Sequence, residues 1–439
     1  MHLPSYITSL MHQLEAHGFT GVPVGGCVRD ALRGKTPDDY DMTTDALPHE
    51  MQAVFKNYRC IETGLRHGTL TVVSEGNNVE ITTFRVDGDY RDNRHPEAVT
   101  FTRDLADDLS RRDFTVNAMA YHPRDGITDL FGGRQDLQNR IIRCVGEPDR
   151  RFHEDALRIM RALRFAATLD FEIETDTADS IRRNVHLLAN ISVERIFVEL
   201  KKLLCGIGAE RILLQFSDVF AFIIPEMRGI IELVQHNPHH LYDVYTHTAK
   251  TVALCEAHPA LRLAALFHDL GKADTFSLDE HGVGHFYDHR VYSVQKADAV
   301  LRRLKCDNAT RNTVLFLVDW HDRLFGEFSS KTVKRLLRTQ SAEEIQLLAA
   351  LMRADSKATG TRGDAPCEAA DLLESILADV RTENACLHVR DLAVNGHDLL
   401  SLGYEPKAIG KTLQALLDAV TDGTVENEKE RLLEKLKEK

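Results

Sequence analysis

GGCVRDALRGKTPDDYDMTTDALP, residues 25–48, is the stretch on which the reading of the chain turns. The run 20–24 ahead of it is strand-like, and Gly25-Gly26 then opens a helical run through Arg29 and Asp30. Glycine lets a phosphate approach the backbone, and a helix start offers free N–H groups at its positive dipole end. Gly26 is thus a candidate nucleotide contact, and Arg29, one turn in, a candidate clamp on a phosphate oxygen. Alone, this is an ordinary strand-to-helix turn. Asp39-Tyr40-Asp41 follows it. Alternate residues of a strand share a face, so Asp39 and Asp41 project together. Two such carboxylates repel unless a cation neutralises them, and phosphoryl-transfer sites hold Mg²⁺ in this way. With Asp38 adjacent the run also reads as a solvated acidic turn, but the glycine turn ahead of it favours the metal pair.

Further motifs follow in order. They are Arg111-Arg112-Asp113-Phe114-Thr115-Val116-Asn117-Ala118, then Asp129-Leu130-Phe131-Gly132-Gly133 with Asp136-Leu137, then Glu154-Asp155-Ala156-Leu157-Arg158 with Arg161 and Arg164. From Val22 to about Phe171 the series resembles the class II tRNA nucleotidyltransferases, the CCA-adding family, and the bacterial poly(A) polymerases, both of the polymerase β superfamily. The resemblance implies Mg²⁺ on Asp39 and Asp41, nucleotide contacts from Arg112, and base selection by Asp155 and Arg158. Asp155, Arg158 and Arg161 at i, i+3 and i+6 would share one side of a helix, within roughly 120°. An arginine fork and a carboxylate can together pair with the edge of cytosine or adenine. Arg161 and Arg164 would orient that pair or touch phosphate. Arg111 would share the task of Arg112, Asp113 is either a further carboxylate or structural, and Glu80 is a further candidate for the metals. The polar run Asp87 to Pro96 resembles the family's flexible loop, which enzymes adding only CC lack.

The 21 histidines include one ordered series: His247, then His268-Asp269-Leu270-Gly271-Lys272, His289, His321-Asp322 and Asp355. Imidazole and carboxylate from several helices suit Ni, Mn, Fe, Co or Zn. The series resembles the HD phosphohydrolase superfamily, implying metal ligands at His247, His268, Asp269, His289, His321 and Asp355, with Asp322 competing for the last place. It implies hydrolysis of phosphoesters such as a 3′-end phosphate or a 2′,3′-cyclic phosphate. A degenerate domain that only supports RNA is the alternative.

The 439 residues exceed one compact core, and 43% hydrophobic with 28% charged residues excludes a disordered chain. Apolar runs such as 314–318 are too short for a membrane span, and the first ten residues show no secretory signal. Eight single cysteines without a CxxC pair argue against a zinc ribbon or a disulfide framework and fit a reducing cytoplasm. A net charge of −13 weighs against a surface that coats nucleic acid, although seven arginines against four acids between Arg140 and Arg164 mark a local place for RNA.

The expected fold is an α+β head with a mixed or antiparallel sheet (1–140), followed by an all-α neck (141–235), HD domain (236–360) and tail (361–439), with a linker at Asp364-Ala365-Pro366. Strand runs at 69–73 and 79–84 predict a hairpin around Asn77-Asn78, and 116–121 predicts another strand. Residues 426–439 predict a solvated amphipathic helix. The run from Val394 to Leu400, with Gly403-Tyr404 and Ile409-Gly410-Lys411, resembles a tail that grips the tRNA elbow; plain helix packing reads equally well. The expected activity is template-free addition of CCA to tRNA from CTP and ATP. The rivals are an A-adding enzyme, a poly(A) polymerase, whose usual basic C-terminal extension this acidic tail lacks, and chiefly an HD phosphohydrolase with an RNA-binding head.

Overall fold

The computed structural model describes residues 1–88, 99–324, 326–361, 367–383 and 385–437. Most of the loop expected at 87–96 and the linker expected at 364–366 lie outside the described residues. The chain forms two compact units, Met1–Pro225 and Glu226–Lys439. The division falls inside the segment expected as the neck.

The first unit opens with α1 (Ser5–Ala16) and a five-stranded sheet: β1 (Gly21–Pro23), β2 (Asp41–Thr44), β3 (Arg59–Ile61), β4 (Thr69–Ser74) and β5 (Asn77–Thr83). The order is β1-β2-β5-β4-β3. Only the β2–β5 pair is parallel, as the mixed sheet predicts. In β4 and β5 alternate residues are buried, so Leu70, Val72, Val79 and Ile81 meet Leu10 and Leu14 of α1 in one core. The residues between them look outward, Glu80 among them.

Two local expectations are corrected. The hairpin turns at Glu75-Gly76, where both residues have positive φ, and Asn77 already pairs with Ser74. A two-residue turn with positive φ at both centres matches the twist of the strands, and glycine takes the second position without strain. Thr115–Asn117 is a 3₁₀ turn, and the strand expected at 116–121 begins only at Met119.

Between α2 (Gly26–Leu32) and the neck lie α3 (Pro48–Val54), α4 (Leu105–Ser110) and α5 (Gly133–Asn139). The neck opens with α6 (Pro148–Glu154) and α7 (Leu157–Leu169), whose buried face carries Leu157, Met160, Leu163 and Ala167. Gly133 presses against the Thr115 carbonyl, which packs the second and third motifs together.

Among its described residues, the second unit is helical apart from the hairpin Phe276–Leu278/Gly284–Phe286. Its last helix, Lys429–Lys437, is more than a solvated surface, because Leu432 and Leu436 close a core with Val394, Leu399, Leu413 and Leu416. Asn395 caps the helix Gly396–Ser401. Packing and capping thus account for several residues of the tail motif. Among the described residues no helix is long and apolar enough to cross a membrane.

A Cβ on Gly133 would stand 2.3 Å from the Thr115 carbonyl oxygen, a backbone atom that cannot step aside cheaply. Gly133→Ala is therefore expected to cost roughly 1–3 kcal/mol, as overpacked sites do, read from the urea midpoint.

Candidate functional site

β2 begins at Asp41, yet its alternation already runs through the preceding residues: Asp39 is exposed, Tyr40 buried, Asp41 exposed and Met42 buried. The two carboxylates therefore look the same way. Asp41 stands opposite Glu80 in the parallel β2–β5 register, which makes Glu80 the third acid of this face. Although the Asp41 side chain reaches solvent, the surrounding protein strips enough water to push its pKa up; Glu80 raises it further, and Arg112 opposes the shift.

The glycine turn sits beside this set. Gly25 has φ 79° and ψ −126°, a conformation for glycine. A side chain there would come within 3.1 Å of Arg112 Nη1. The critical glycine of the turn is thus Gly25, with Gly26 the first residue of α2.

Arg112 is held from behind. Asp108, wholly buried, accepts from Arg112 Nη2 (3.3 Å), Arg111 Nη2 (2.6 Å) and the Thr43 hydroxyl (3.1 Å). Burial would raise the Asp108 pKa, but Arg111 and Arg112 hold it below the usual carboxylate range. Asp108 was legible in principle: it precedes the two arginines by three and four residues, the spacing of helical ion pairs.

Arg29 is already engaged. It donates to Asn117 Oδ1 (2.6 Å) and Asp30 (2.7 Å), and its guanidinium stands 5.2 Å from the Phe165 ring centroid. Asn117 in turn donates to Asp113 Oδ1 (3.2 Å), and Asp113 Oδ2 takes two bonds from Arg161, 2.8 and 2.6 Å. A continuous polar chain, Arg29–Asn117–Asp113–Arg161, thereby ties α2 to α7.

The neck departs from the expected single helix. Asp155 has extended backbone (φ −138°, ψ 103°) in the break between α6 and α7. Its side chain accepts from the Leu157 amide at 3.1 Å and from Arg195 at 3.2 Å. The physical reason is capping: aspartate offers an acceptor to free N–H groups at a helix start. Asp155 therefore does not share a helix face with Arg158 and Arg161. Arg158 is buried against Glu154 (2.6 Å) and the Arg111 carbonyl (2.9 Å), while Arg164 pairs with Glu199.

In the second unit the structure brings together all six expected ligands. His247 and Asp355 come from the helices Val244–Leu254 and Ala342–Ala358; His268 and Asp269 follow Pro259–Phe267; His289 opens His289–Arg303; His321 ends Asn308–Trp320. They form two triads, His247/His268/Asp355 and Asp269/His289/His321. Asp269 Oδ2 lies 3.3 Å from His268 Nε2, and its Oδ1 lies 3.4 Å from His289 Nε2, so this carboxylate stands between the triads. The Nδ1 atoms of His268, His289 and His321 bond the carbonyls of Ala265, Phe286 and Val318 at 2.7, 3.0 and 2.8 Å. Those bonds place the protons on Nδ1 and turn the Nε2 lone pairs inward, the tautomer a metal ligand needs. Asp322 lines the same cavity but belongs to neither triad.

Residues 23–143 match the family described as the poly A polymerase head domain. Residues 170–230 match a probable RNA and SrmB-binding site of polymerase A, and 286–436 a putative tRNA nucleotidyltransferase domain 2. The chain is 36% identical to the CCA-adding enzyme of Geobacillus kaustophilus over 432 residues, covering 96% of this chain and 94% of that one. The chain belongs to the CCA-adding enzymes. The same identity holds over 430 residues with the Geobacillus stearothermophilus enzyme. The crystal structure of the Bacillus stearothermophilus CCA-adding enzyme in complex with CTP superposes with a TM-score of 0.76 at 31% identity, covering 100% of this chain and 98% of that one.

CCA-adding enzymes use divalent metal, and both acidic sites fit a cation. In the head, burial first and then Glu80 push the Asp41 pKa up against Arg112, and the two carboxylates stand in register on one face. In the second unit, the ligand atoms of each triad lie within 4.8 Å of one another, and imidazole with carboxylate is a donor set for a divalent cation.

Burial would raise the Asp113 pKa above its ordinary 3.8, but Arg161 outweighs burial and holds it at about 2. A depressed folded-state pKa stabilises the protein above the unfolded value and ceases to do so as pH falls toward 2. Asp113→Asn is thus expected to cost about 2 kcal/mol at pH 7. Its deficit against the parent should shrink once pH drops below 4, measured by urea unfolding at pH 7, 5 and 3.

Proposed function

We propose that the chain adds C, C and A in order to the 3′ end of tRNA, taking CTP and ATP, with Asp39 and Asp41 holding Mg²⁺ and Glu80 completing the acidic face. The observation that carries this reading is the Asp41–Glu80 register beside the Gly25 turn and Arg112, in a chain alignable along its length with CCA-adding enzymes. The α-phosphate of the incoming nucleotide is attacked by the RNA 3′-hydroxyl, and pyrophosphate leaves. Bound Mg²⁺ supplies charge neutralisation on the phosphates and a more acidic attacking hydroxyl. Gly26 and the start of α2 bind phosphate, and Arg112, braced by Asp108, orients the nucleotide. Asp155 and Arg158 select the base, Asp155 from the helix break and Arg158 from α7. Arg161 and Arg164 act by bracing, through Asp113 and Glu199, and Arg29 braces α2 through Asn117. In this reading the chain works in the cytoplasm as head (1–140), neck (141–235), HD domain (236–360) and tail (361–439), the tail helping to grip tRNA.

A second activity is supported by the two triads. His247, His268, Asp269, His289, His321 and Asp355 would hold Ni, Mn, Fe, Co or Zn for the hydrolysis of an RNA 3′-phosphate or 2′,3′-cyclic phosphate.

Supplied with Mg²⁺, CTP and ATP, the protein should extend tRNA lacking CCA by C, C and A and then stop. Extension only of tRNA already ending in CC would make it an A-adding enzyme, and long runs of A a poly(A) polymerase. Asp41→Ala should lower incorporation by at least about 10²- to 10³-fold while phosphoester hydrolysis persists. His268→Ala/Asp269→Ala should do the reverse; a metal-dependent phosphatase surviving that change would refute the triad assignment.

A further inference from the structure

The cavity over the two triads has a volume of about 990 Å³, within the range of small-molecule sites and far more than a phosphate group fills. Its floor is polar: Asp269, His289, His321 and Asp355 all line it. Its wall is not. Tyr287 lines it with 70% of its surface exposed, and Leu324 lines it with 71% exposed. Tyr287 follows the hairpin strand Gly284–Phe286, and Leu324 follows the helix Asn308–Trp320, so two separate elements deliver apolar surface to one polar cavity.

The tyrosine ring is also braced. His285 lies against it with ring planes 6° apart and centroids at 5.2 Å. His285 is in turn held by Asp279 Oδ2 at 3.0 Å, from the connection between the hairpin strands. The Tyr287 ring is therefore flanked in offset stacking by a fixed imidazole, and it remains exposed as part of the cavity lining. A flat, oriented and water-exposed aromatic beside a phosphoester-sized polar floor matches a nucleobase, because every base has a π-face and stacking on an aromatic is tolerant of sequence.

We infer that this cavity is a nucleotide site in which Tyr287, backed by His285, stacks on the base next to the phosphate, and Leu324 bounds the base from the second element. Tyr287 is a specificity-determining residue: it selects nucleoside phosphates over phosphoesters that carry no ring. The inference rests on the phosphohydrolase reading for what happens to the phosphate, but not for the binding itself.

The test uses the full chain and three probes: cytidine 3′-monophosphate, a short RNA ending in a 3′-phosphate, and glycerol 2-phosphate. Dissociation constants and metal-supported hydrolysis are measured for the parent, Tyr287→Ala and Tyr287→Phe, with thermal melts to confirm folding. Tyr287→Ala is expected to weaken binding of the two base-bearing probes roughly 5- to 150-fold, the range of one lost base stack, and to leave glycerol 2-phosphate unchanged. Tyr287→Phe should bind as the parent does. Tighter binding of the RNA than of the mononucleotide would identify an RNA end as the ligand, and equal binding a free nucleotide; both keep the stack. Equal effects of Tyr287→Ala on all three probes, or none on any, would overturn the inference. If no probe is hydrolysed under any metal, the phosphohydrolase reading fails, and base-selective binding that depends on Tyr287 would still uphold the site.

Discussion

The pairing of buried Asp113 with half-buried Arg161 is the constraint on which the first unit depends. Asp113 belongs to the segment that carries Arg111 and Arg112, and Arg161 belongs to α7. A lone buried carboxylate would be costly, so the two elements cannot separate without exposing or stranding a charge. Asn117 extends the pair to Arg29, and so to the helix that follows the glycine turn. Most of the conspicuous arginines of the head and neck are consequently committed before any nucleotide arrives. Their role is to hold the elements in register, and the exposed carboxylates Asp39, Asp41 and Glu80 are left as the open groups of that face.

The second unit solves a related problem differently. Four imidazoles and two carboxylates are crowded into a largely buried space, and backbone carbonyls, not side chains, orient three of the rings. Gly271 permits this crowding. A Cβ there would come within 2.0 Å of the His289 carbonyl oxygen, so only glycine lets the loop after His268 and Asp269 approach the helix of His289. The HDLGK run thus contributes a close contact as well as donors.

How far the sequence could be read depended on whether a feature is local. The mixed sheet and the shared face of Asp39 and Asp41 follow from strand alternation, which needs only neighbouring residues. The six HD-type residues were legible by type, but the choice between Asp322 and Asp355 was not. It turns on which face of the helix Ala342–Ala358 packs inward. The 3.6-residue spacing does not reveal Asp155, because it runs through a residue that stands in a helix break and caps the next helix. The hairpin turns two residues before Asn77-Asn78, the stronger turn signal, because Glu75 adopts positive φ where Gly76 and the strand register oblige it. Asn117 is not legible because its partner Arg29 is distant in sequence, whereas Asp108 stands one helical turn from Arg111 and Arg112 and shows only its bond to Thr43 through the fold.

The single carboxylate of Asp108 serves Arg111, Arg112 and Thr43 at once. Sharing of this kind makes the three positions epistatic. Loss of Arg111 frees an oxygen that Arg112 can take, so the effect of a change at one arginine depends on what occupies the other. The pair should therefore drift together in evolution: a replacement at one position becomes tolerable or not according to its neighbour, with the buried aspartate as the common ledger between them.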